Sequence, residues 1–554
     1  MSDLHFTRRH FFFGALLAGA VPRVGFGSQP SLKALGYKSF NEKMNIACVG
    51  LGMRGPQILP GAAASENITA LCDCDDSRGA ATYALYPKAN KYKNWLKMLD
   101  AEKTLDGVMI ALPDHWHTYM SLECMRRGKH VYCEKPLTRT AYEARLLADA
   151  AVKYKVAAQM GNQGWNHEAC KTACEIFWSG EIGEVREVHA WTGGGAGDRG
   201  YPASGPPEQP IPDGFDWDMW LGPALPRPYN SEYRGWRSFI DFSCGGTLGD
   251  WLVHCLGPAH IALRLDLAAP ISVEAVNVEQ RNLFRWPLRD EVVYEFPARG
   301  NMPPVTIHAY QAMRGAFKNP PGMAEGEPLL PQMGNLAKDK NRQFPMTGDG
   351  MMLVGNQLDS KGQVPPRAAR EGGARAAGAP GGMPGAPGGM PGAPGGMPGA
   401  PGGMPGAPGA PGGQGARAGA GAAGGRAGMP AGDRGPGNGS VFVGSKGYMA
   451  TGSRGEGVFL LPASRWADYI LPPQLLQRGI NHQQDWIRAC KGGAPGVSDF
   501  SVACPYIEWL ALGAIALRVP GKLLWDAKTR RFSNSEEANK YLRPELRKGY
   551  ELKL

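Results

Sequence analysis

The stretch Met44-Asn-Ile-Ala-Cys-Val-Gly50-Leu-Gly-Met-Arg-Gly55 decides the fold, because an apolar run leads directly into a Gly-x-Gly-x-x-Gly pattern. A strand, such a loop and then a helix are typical of parallel sheets that bind a dinucleotide. Gly50 permits a tight turn, Gly52 lets a pyrophosphate approach the backbone, and Gly55 lets the helix pack on the strand. A purely structural glycine turn is the alternative. We predict a phosphate-binding loop made of Gly50, Gly52, Met53, Arg54 and Gly55.

Asp73 follows Gly52 by 21 residues, at the end of the second apolar run. An acid at this distance accepts hydrogen bonds from the adenosine ribose hydroxyls and repels a 2′-phosphate. The sequence therefore favours NAD as the cofactor. Arg78 lies nearby and keeps NADP open as an alternative.

Short apolar runs alternate with helical segments in the first part of the chain. The runs are Met44–Gly50, Asn67–Cys72, Leu105–Leu112 and His130–Cys133. This alternation predicts a parallel sheet covered by helices. We assign residues 44–160 to an α/β domain of the Rossmann type.

The pattern changes from about residue 184 onward. Four segments there are predicted to be antiparallel strands: Val185–Thr192, Ile271–Gln280, Glu291–Phe296 and Val305–Tyr310. A helix is expected around Asp250–Leu265. We therefore expect an α+β domain with an open, largely antiparallel sheet over residues 161–365 and 439–525, followed by a C-terminal tail, 526–554.

Two groups of residues are candidates for catalysis. Glu134-Lys135-Pro136 follows the fourth run, and the carboxyl ends of parallel strands are where open α/β sheets bind ligands. Asp250 and His254 are four apart, so on a helix they share one face. Such a pair can also be a structural hydrogen bond.

These pieces together resemble the Gfo/Idh/MocA oxidoreductases over about residues 44–365 and 440–525. The matching pieces are Val49–Gly55, Asp73, Ala111-Leu-Pro-Asp-His-Trp-His117, Gly128-Lys-His-Val-Tyr-Cys-Glu-Lys-Pro136, Asp250-x-x-x-His254, His482-x-x-Asp-Trp-Ile-Arg488 and Leu512-Gly-x-Ile-Ala-x-Arg518. The resemblance implies that Lys135 contacts the reacting hydroxyl and the nicotinamide ribose. It also implies that His254 is the general base and that Asp250 binds substrate.

The resemblance further implies that Pro113 and His117 line the nicotinamide pocket and that Glu134 belongs to the cofactor site. Two places depart from the family pattern. Gly257 stands where members often have an acid, and Tyr310–Gly315 lacks the polar pattern expected of many exported relatives. His115 and His117 are too few ligands for a metal, so we predict no metal site.

Three functions remain open from the sequence. The first is an NAD-dependent dehydrogenase acting on a sugar, glycoside or cyclitol hydroxyl. The second is a redox-neutral glycosidase, in which oxidation permits elimination of the aglycone before water and hydride are added back. The third is a non-catalytic sugar- or nucleotide-binding protein, which loss of Lys135 or His254 would have favoured. The resemblance implies that the open sheet packs against another subunit, so we expect a homodimer or homotetramer.

The N-terminus predicts export. Arg8-Arg9 precedes Phe11-Phe-Phe and a short apolar run, which resembles a twin-arginine signal over residues 1–28. An ordinary secretion signal is the alternative. No run reaches the roughly 18 apolar residues of a bilayer span, so no stable membrane anchor is expected. We expect a periplasmic or secreted protein.

Residues 366–438 form a low-complexity insert in which Ala-Pro-Gly-Gly-Met-Pro-Gly occurs four times in a row from Ala379. Its composition cannot bury enough apolar surface to fold. The chain has 554 residues and a net charge of +10. Seven basic and two acidic residues between Lys361 and Arg434 supply half of that charge. Nucleic-acid binding is therefore not expected.

Overall fold

The computed structural model describes most of the chain outside its N-terminus and the insert. The described residues are 38–39, 41–193, 204–312, 317, 319–327, 329–330, 353–354, 438–454, 457–466, 469–478 and 480–554. The predicted signal peptide, and residues 366–437 of the predicted insert, lie outside the described residues.

The first domain is built on a six-stranded parallel sheet in the order β3-β2-β1-β4-β5-β6. The strands are β1 Asn45–Val49, β2 Asn67–Cys72, β3 Asn90–Tyr92, β4 Gly107–Ile110, β5 His130–Glu134 and β6 Ala158–Gly161. This confirms the predicted parallel sheet. β3 and β6 were missed because three or four residues with polar members do not form an apolar run.

Helices connect the parallel strands. They are Gly55–Ala63, Asp76–Leu85, Trp95–Ala101, Asp114–Arg126 and Ala141–Tyr154. Side chains of Asp75, Asn94 and Thr140 cap three of them. Because every strand runs the same way, the carboxyl ends of β1, β4 and β5 lie at one edge, where ligands bind in such sheets.

The second domain contains a ten-stranded sheet in the order β11-β14-β13-β12-β7-β10-β9-β8-β15-β16. The strands are β7 Val185–Thr192, β8 Ser272–Glu279, β9 Arg289–Phe296, β10 Val305–Gln311, β11 Leu353–Val354, β12 Gly439–Gly444, β13 Gly447–Gly452, β14 Gly457–Leu461, β15 Leu523–Asp526 and β16 Arg531–Phe532. The sheet is largely antiparallel, as predicted, with two parallel pairs.

One pairing differs from the prediction. β7 and β10 were expected to be antiparallel, yet they are parallel, with His189 opposite His308. β8, β9 and β10 are joined as antiparallel neighbours, and β7 then lies along the free edge of β10. Strand direction across such a non-sequential contact depends on tertiary packing, which local residue patterns do not contain.

The helical segments of the second domain are mostly short. They are Gln163–Asn166, Glu168–Trp178, Trp217–Leu221, Ser231–Ser238, Leu248–Leu252, Val253–Cys255, Gly257–Ala262, Ala463–Trp466, His482–Cys490, Phe500–Ala516 and Glu536–Lys540. The helix expected around Asp250–Leu265 is therefore three pieces, of which Leu248–Leu252 is a π-helix. Helix Phe500–Ala516 has 17 residues and carries part of the matching piece Leu512–Arg518.

Two late segments of the chain pack on the first domain. Trp486 of helix His482–Cys490 is buried in the same apolar cluster as Met44 and Tyr132. Farther on, the ring of Tyr550 lies 5.8 Å from that of Trp116 and 5.0 Å from that of Tyr119. The first domain thus uses side chains from the end of the sequence.

None of the eleven cysteines, all of which are described, forms a disulfide, and all but the half-buried Cys74 are buried. Buried thiols of this kind pack as small apolar side chains. Within the described part of the chain, no helix is both long and apolar enough to span a membrane.

Candidate active site

The glycines of the predicted phosphate loop form a crowded turn. Gly50 has φ +91°, and a Cβ atom there would lie 2.2 Å from the Ala111 carbonyl oxygen. A Cβ atom on Gly55 would lie 2.0 Å from the Gly50 carbonyl oxygen. Neither position admits a side chain. Gly52 and Met53 are exposed at the tip of the turn, so the backbone N–H groups of this loop can be approached closely.

Asp73 holds the phosphate loop against the end of β2. Its carboxylate accepts hydrogen bonds from the backbone N–H of Leu51, at 2.7 Å, and of Asp75, at 2.9 Å. Burial raises the pKa of the Asp73 carboxyl above its ordinary value, although these two N–H groups oppose the rise. The residue predicted to contact the ribose therefore also fixes the loop.

Arg78 lies beside the same loop. Its side chain is 42% exposed, and its Nε atom is 3.9 Å from a carboxylate oxygen of Asp75. Asp75 is held more closely by Arg234, whose Nη1 donates to it at 2.9 Å. Arg78 is the cation nearest Gly52, where a Cβ atom would meet its Cδ at 2.7 Å.

Glu134 connects the phosphate loop with the end of β5. Gln163 Nε2 lies 2.7 Å from both Glu134 Oε1 and the Tyr132 hydroxyl. On the other side, Arg54 Nε lies 3.3 Å from the same Glu134 oxygen. Two residues that the sequence assigned to the cofactor, Arg54 and Glu134, are thus brought together.

Lys135 lies at the end of β5 and reaches the second domain. Its Nζ donates to the Asp250 carbonyl oxygen at 2.5 Å and to Asp250 Oδ1 at 2.8 Å. Arg237 Nε forms an ion pair with the same Oδ1 at 2.8 Å. Two cations therefore share one carboxylate oxygen. Two of the three Lys135 N–H donors are used, and one remains for a substrate oxygen.

The protonation of Lys135 and that of Asp250 depend on each other and on the charge of Arg237. Burial tends to raise the pKa of Asp250, but Lys135 and Arg237 outweigh it and the pKa is lowered. Burial and the nearby Arg237 lower the pKa of Lys135, while Asp250 opposes them. Asp114, at the start of helix Asp114–Arg126, is a second acid near this group, and burial raises its pKa to about 7.

His254 follows Asp250 in the next helical piece and is 5% exposed. Its Nδ1 lies 2.7 Å from the side-chain oxygen of Asn162, at the end of β6. Burial and the charge of Lys135 hold the pKa of His254 well below its usual range. The imidazole is therefore neutral at neutral pH, with a proton on Nδ1 and a lone pair on Nε2.

His117 and Pro113 lie by the turn that follows β4. Both His117 nitrogens face carbonyl oxygens, Nδ1 that of Pro136 at 2.7 Å and Nε2 that of Leu112 at 2.8 Å. Pro113 follows Leu112 and precedes helix Asp114–Arg126. His117 therefore ties the turn after β4 to the turn that carries Lys135.

The neighbouring His115 faces away from this turn. Its Nε2 contacts the Trp220 carbonyl oxygen at 3.0 Å, and burial lowers its pKa to about 3. Within the described residues, no three His, Cys, Asp or Glu side chains are grouped so that they could hold a metal ion.

Gly257 stands where the resemblance leads us to expect an acid, and packing explains why this position is a glycine. A Cβ atom there would lie 2.2 Å from Trp165 Nε1. The buried Trp165 occupies the space that a side chain at position 257 would need.

The structure thus brings Lys135 and Asp250 into contact, places His254 near them, and puts the phosphate loop, Asp73 and Glu134 along the same edge of the first sheet. It also adds Asn162 and Arg237, which the sequence did not indicate. Asn162 follows a short strand, and recognition of β6 would have flagged it. Arg237 had no local signal.

The residues present fit a bound NAD. Gly50 and Gly55 permit a tight turn in which a Cβ atom would clash with the backbone, and the exposed Gly52 leaves the backbone open to a pyrophosphate. Asp73 stands at the end of β2, where the ribose hydroxyls of NAD would lie. Lys135 stands at the end of β5.

Comparisons with known proteins agree with this arrangement. The family described as "Oxidoreductase family, NAD-binding Rossmann fold" matches residues 44–162, and the one described as "Oxidoreductase family, C-terminal alpha/beta domain" matches residues 203–287. The first domain is therefore an NAD-binding Rossmann domain.

Two curated relatives and one solved structure illustrate the similarity. Inositol 2-dehydrogenase 1 of Saccharopolyspora erythraea is 31% identical over 26% of this chain and 44% of its own length. A glycosyl hydrolase family 109 protein of Solibacter usitatus is 32% identical over 25% of this chain and 34% of its own. The chain thus spans less than half of either relative. An inositol dehydrogenase homolog from Azotobacter vinelandii, solved with NADH and myo-inositol, is 14% identical, with a TM-score of 0.46 over 88% of this chain and 100% of that one.

Proposed function

We propose that the chain, whose residues 44–162 and 203–287 match two oxidoreductase families, is a Gfo/Idh/MocA-type enzyme that oxidises a CH–OH group of a sugar, glycoside or cyclitol with NAD. The observation that supports this most directly is the contact between Lys135 and Asp250, with His254 one helical turn beyond Asp250. A cation, a carboxylate and a neutral imidazole then face one place at the edge of the sheet that binds the cofactor.

The roles of the residues follow from their protonation. His254 Nε2 has a lone pair and accepts the proton of the substrate hydroxyl. The free N–H of Lys135 donates to the oxygen of that hydroxyl and stabilises the negative charge that develops on it. Asp250 fixes the Lys135 ammonium through two contacts and has a second carboxylate oxygen for a substrate hydroxyl. Bound NAD would accept the hydride from the same carbon.

The test measures hydride transfer by the purified, NAD-loaded protein. Absorbance at 340 nm monitors the reaction with myo-inositol, D-glucose and methyl glucosides as substrates. Lys135→Ala is expected to lower kcat roughly 100-fold or more, because it removes a cation from the developing alkoxide. Its NAD content, measured by mass spectrometry after denaturation, separates a loss of chemistry from a loss of cofactor, and rates are compared per bound NAD. Lys153→Ala, an exposed lysine beside Tyr154, is the control. Equal rates for Lys135→Ala and wild type would contradict the proposal.

A redox-neutral glycosidase is the second candidate, supported by relatives named glycosyl hydrolase family 109 proteins. Oxidation at one carbon acidifies the neighbouring C–H bond, a base removes that proton, and the aglycone leaves with the bond's electron pair. Water then adds, and the hydride returns to the ketone. Nitrophenyl glycosides in D2O test this cycle, since it gives a cleaved sugar with one carbon-bound deuterium. An oxidised, uncleaved glycoside identifies the dehydrogenase.

Export through the twin-arginine pathway is part of the proposal, supported by Arg8-Arg9 in a stretch that lies outside the described residues. Such export would deliver a folded protein with its NAD already bound. Fractionation of cells that express the wild type and an Arg8→Lys/Arg9→Lys double variant tests this. The wild type should be extracytoplasmic and the double variant should remain inside.

A homo-oligomer is proposed as well. The sheet face that carries Glu187, His308 and Glu291 is only partly covered within the described residues. A dimer or tetramer would cover it. Light scattering of the purified protein should give two or four chain masses, whereas a single chain mass would contradict this.

A further inference from the structure

Arg237 is a charged residue of the site that the proposed reaction does not use. It lies at the end of the helical segment Ser231–Ser238, and its Nε pairs with the same Asp250 oxygen that accepts from Lys135. Both cation-to-oxygen distances are 2.8 Å. Arg237 therefore stands beside the place where the reacting hydroxyl would bind.

The guanidinium of Arg237 is held in one orientation. Its Cζ lies 4.1 Å from the centroid of the Trp236 ring, and its Nε is fixed by Asp250. No described residue accepts a hydrogen bond from Nη1 or Nη2, and the side chain is 34% exposed. The two terminal nitrogens of the Arg237 guanidinium are therefore available as donors, and the side chain shares its Asp250 oxygen with Lys135.

The charges of Lys135, Arg237 and Asp250 do not cancel. Lys135 and Arg237 are both cations, and they share the single carboxylate of Asp250. Asp114 is buried next to them, and its raised pKa of about 7 keeps it from supplying a full negative charge at neutral pH. A neutral sugar would leave an excess of positive charge.

We infer that Arg237 binds the carboxylate of the substrate, which is then a sugar acid such as a uronate. A planar guanidinium with two free N–H groups matches the two oxygens of a carboxylate, and this pairing is stronger than a bond between neutral groups. The inference rests on the proposed function, because it places the substrate hydroxyl on Lys135. It adds the chemical class of the substrate.

The experiment compares matched pairs: D-glucuronate with D-glucose, and D-galacturonate with D-galactose. Binding to the NAD-loaded protein is measured by calorimetry and oxidation by absorbance at 340 nm. For at least one pair, the wild type should bind the uronate roughly 10- to 100-fold more tightly than the sugar. Arg237→Gln should remove that preference, because it should weaken uronate binding far more than binding of the neutral sugar. Arg237→Lys should give an intermediate preference for the uronate, because lysine keeps the charge but lacks the planar pair of N–H donors.

Arg465→Gln is the matched control. Arg465 is also exposed and lies over a tryptophan, Trp466, at 5.2 Å, but it has no contact with Asp250. Its uronate preference should equal that of the wild type, and thermal unfolding should show that all variants fold.

Three outcomes would overturn the inference: no uronate preference in the wild type, an equal loss for sugar and uronate in Arg237→Gln, or tighter binding of D-glucose 6-phosphate than of either uronate. If uronate binding depends on Arg237 but no sugar is oxidised, the carboxylate site stands and the proposed function fails.

Discussion

His254 Nδ1 and Asn162 Oδ1 lie 2.7 Å apart. The Asn162 amide nitrogen donates to the Val253 carbonyl oxygen at 3.1 Å, so its oxygen must be the acceptor toward His254. This fixes the proton of the neutral imidazole on Nδ1 and leaves Nε2 as the base. A residue that touches no reacting atom thereby decides which nitrogen can accept the substrate proton.

Asn162→Ala is therefore expected to lower kcat by about 10- to 100-fold, since the general base loses its fixed tautomer. Binding of NAD should change little. Asn162→Asp keeps an acceptor, so it should retain more activity. The added carboxylate should also raise the pKa of His254, which moves the acidic limb of the kcat–pH profile to higher pH. A profile identical to that of the wild type would argue against this positioning role.

Gly50→Ala should be more harmful than Gly128→Ala. Both residues have positive φ, +91° and +69°, so both variants suffer a backbone penalty of about 1 kcal/mol. Only at Gly50 does the Cβ atom meet another atom, the Ala111 carbonyl oxygen, whereas nothing lies within 4 Å of it at Gly128. The clash should cost roughly 1–3 kcal/mol more in the free energy of unfolding. Chemical denaturation measures both, and equal losses would refute the steric explanation.

Asp73→Asn should weaken NAD binding and narrow the preference for NAD over NADP. The amide keeps only one acceptor oxygen, while Leu51 and Asp75 both donate to the carboxylate. The variant also lacks the charge that would repel a 2′-phosphate. We expect the Kd for NAD to rise about tenfold and the Kd for NADP to rise less or to fall. Fluorescence titration of the NAD-free protein measures both constants. An unchanged Kd ratio would place the discrimination elsewhere, with Arg78 as the next residue to vary.

Asp290→Asn should stabilise the protein above neutral pH. Asp290 is 1% exposed in β9, and burial raises its pKa to about 8. In the unfolded chain an aspartate has a pKa near ~3.9. Between these values the folded state holds a proton that the unfolded state has lost, so stability falls as pH rises toward 8. The asparagine has no such dependence. The free energy of unfolding of Asp290→Asn minus that of the wild type should therefore rise by roughly 1 kcal/mol per pH unit between pH 5 and 8.

Asp526→Asn is the control for this titration. Hydrogen bonds from Thr529 and the Lys528 backbone lower the pKa of the half-buried Asp526. Its contribution is present above the unfolded pKa and is lost only in acid. The difference between Asp526→Asn and wild type should therefore stay constant from pH 5 to 8. A slope equal to that of Asp290→Asn would mean that neither slope reports the buried carboxyl.

The parts of the site that could be predicted are those with a local signal. Gly50, Gly52 and Gly55 are recognised because each occupies a fixed place in one turn, and Lys135 because it follows a strand. Asp250 and His254 were predicted from helical spacing together with the family resemblance, although a π-helical turn carries Asp250. Asn162 and Arg237 reach their partners only through tertiary packing, and His254 stands 92 positions after Asn162. Contacts of that kind leave no periodic pattern in the sequence.

The burial of Trp486 among first-domain residues has a consequence for biosynthesis. Residues 482–490 leave the ribosome long after β1 to β6 have emerged. Until then the apolar cluster around Met44 and Tyr132 is covered by helix Gly55–Ala63 but lacks the contribution of Trp486. During most of translation, part of the apolar surface of the nascent first domain therefore stays exposed. Chaperones and proteases can reach the domain in this period. A fragment that stops before His482 should be aggregation-prone even though it contains every strand of the nucleotide-binding sheet.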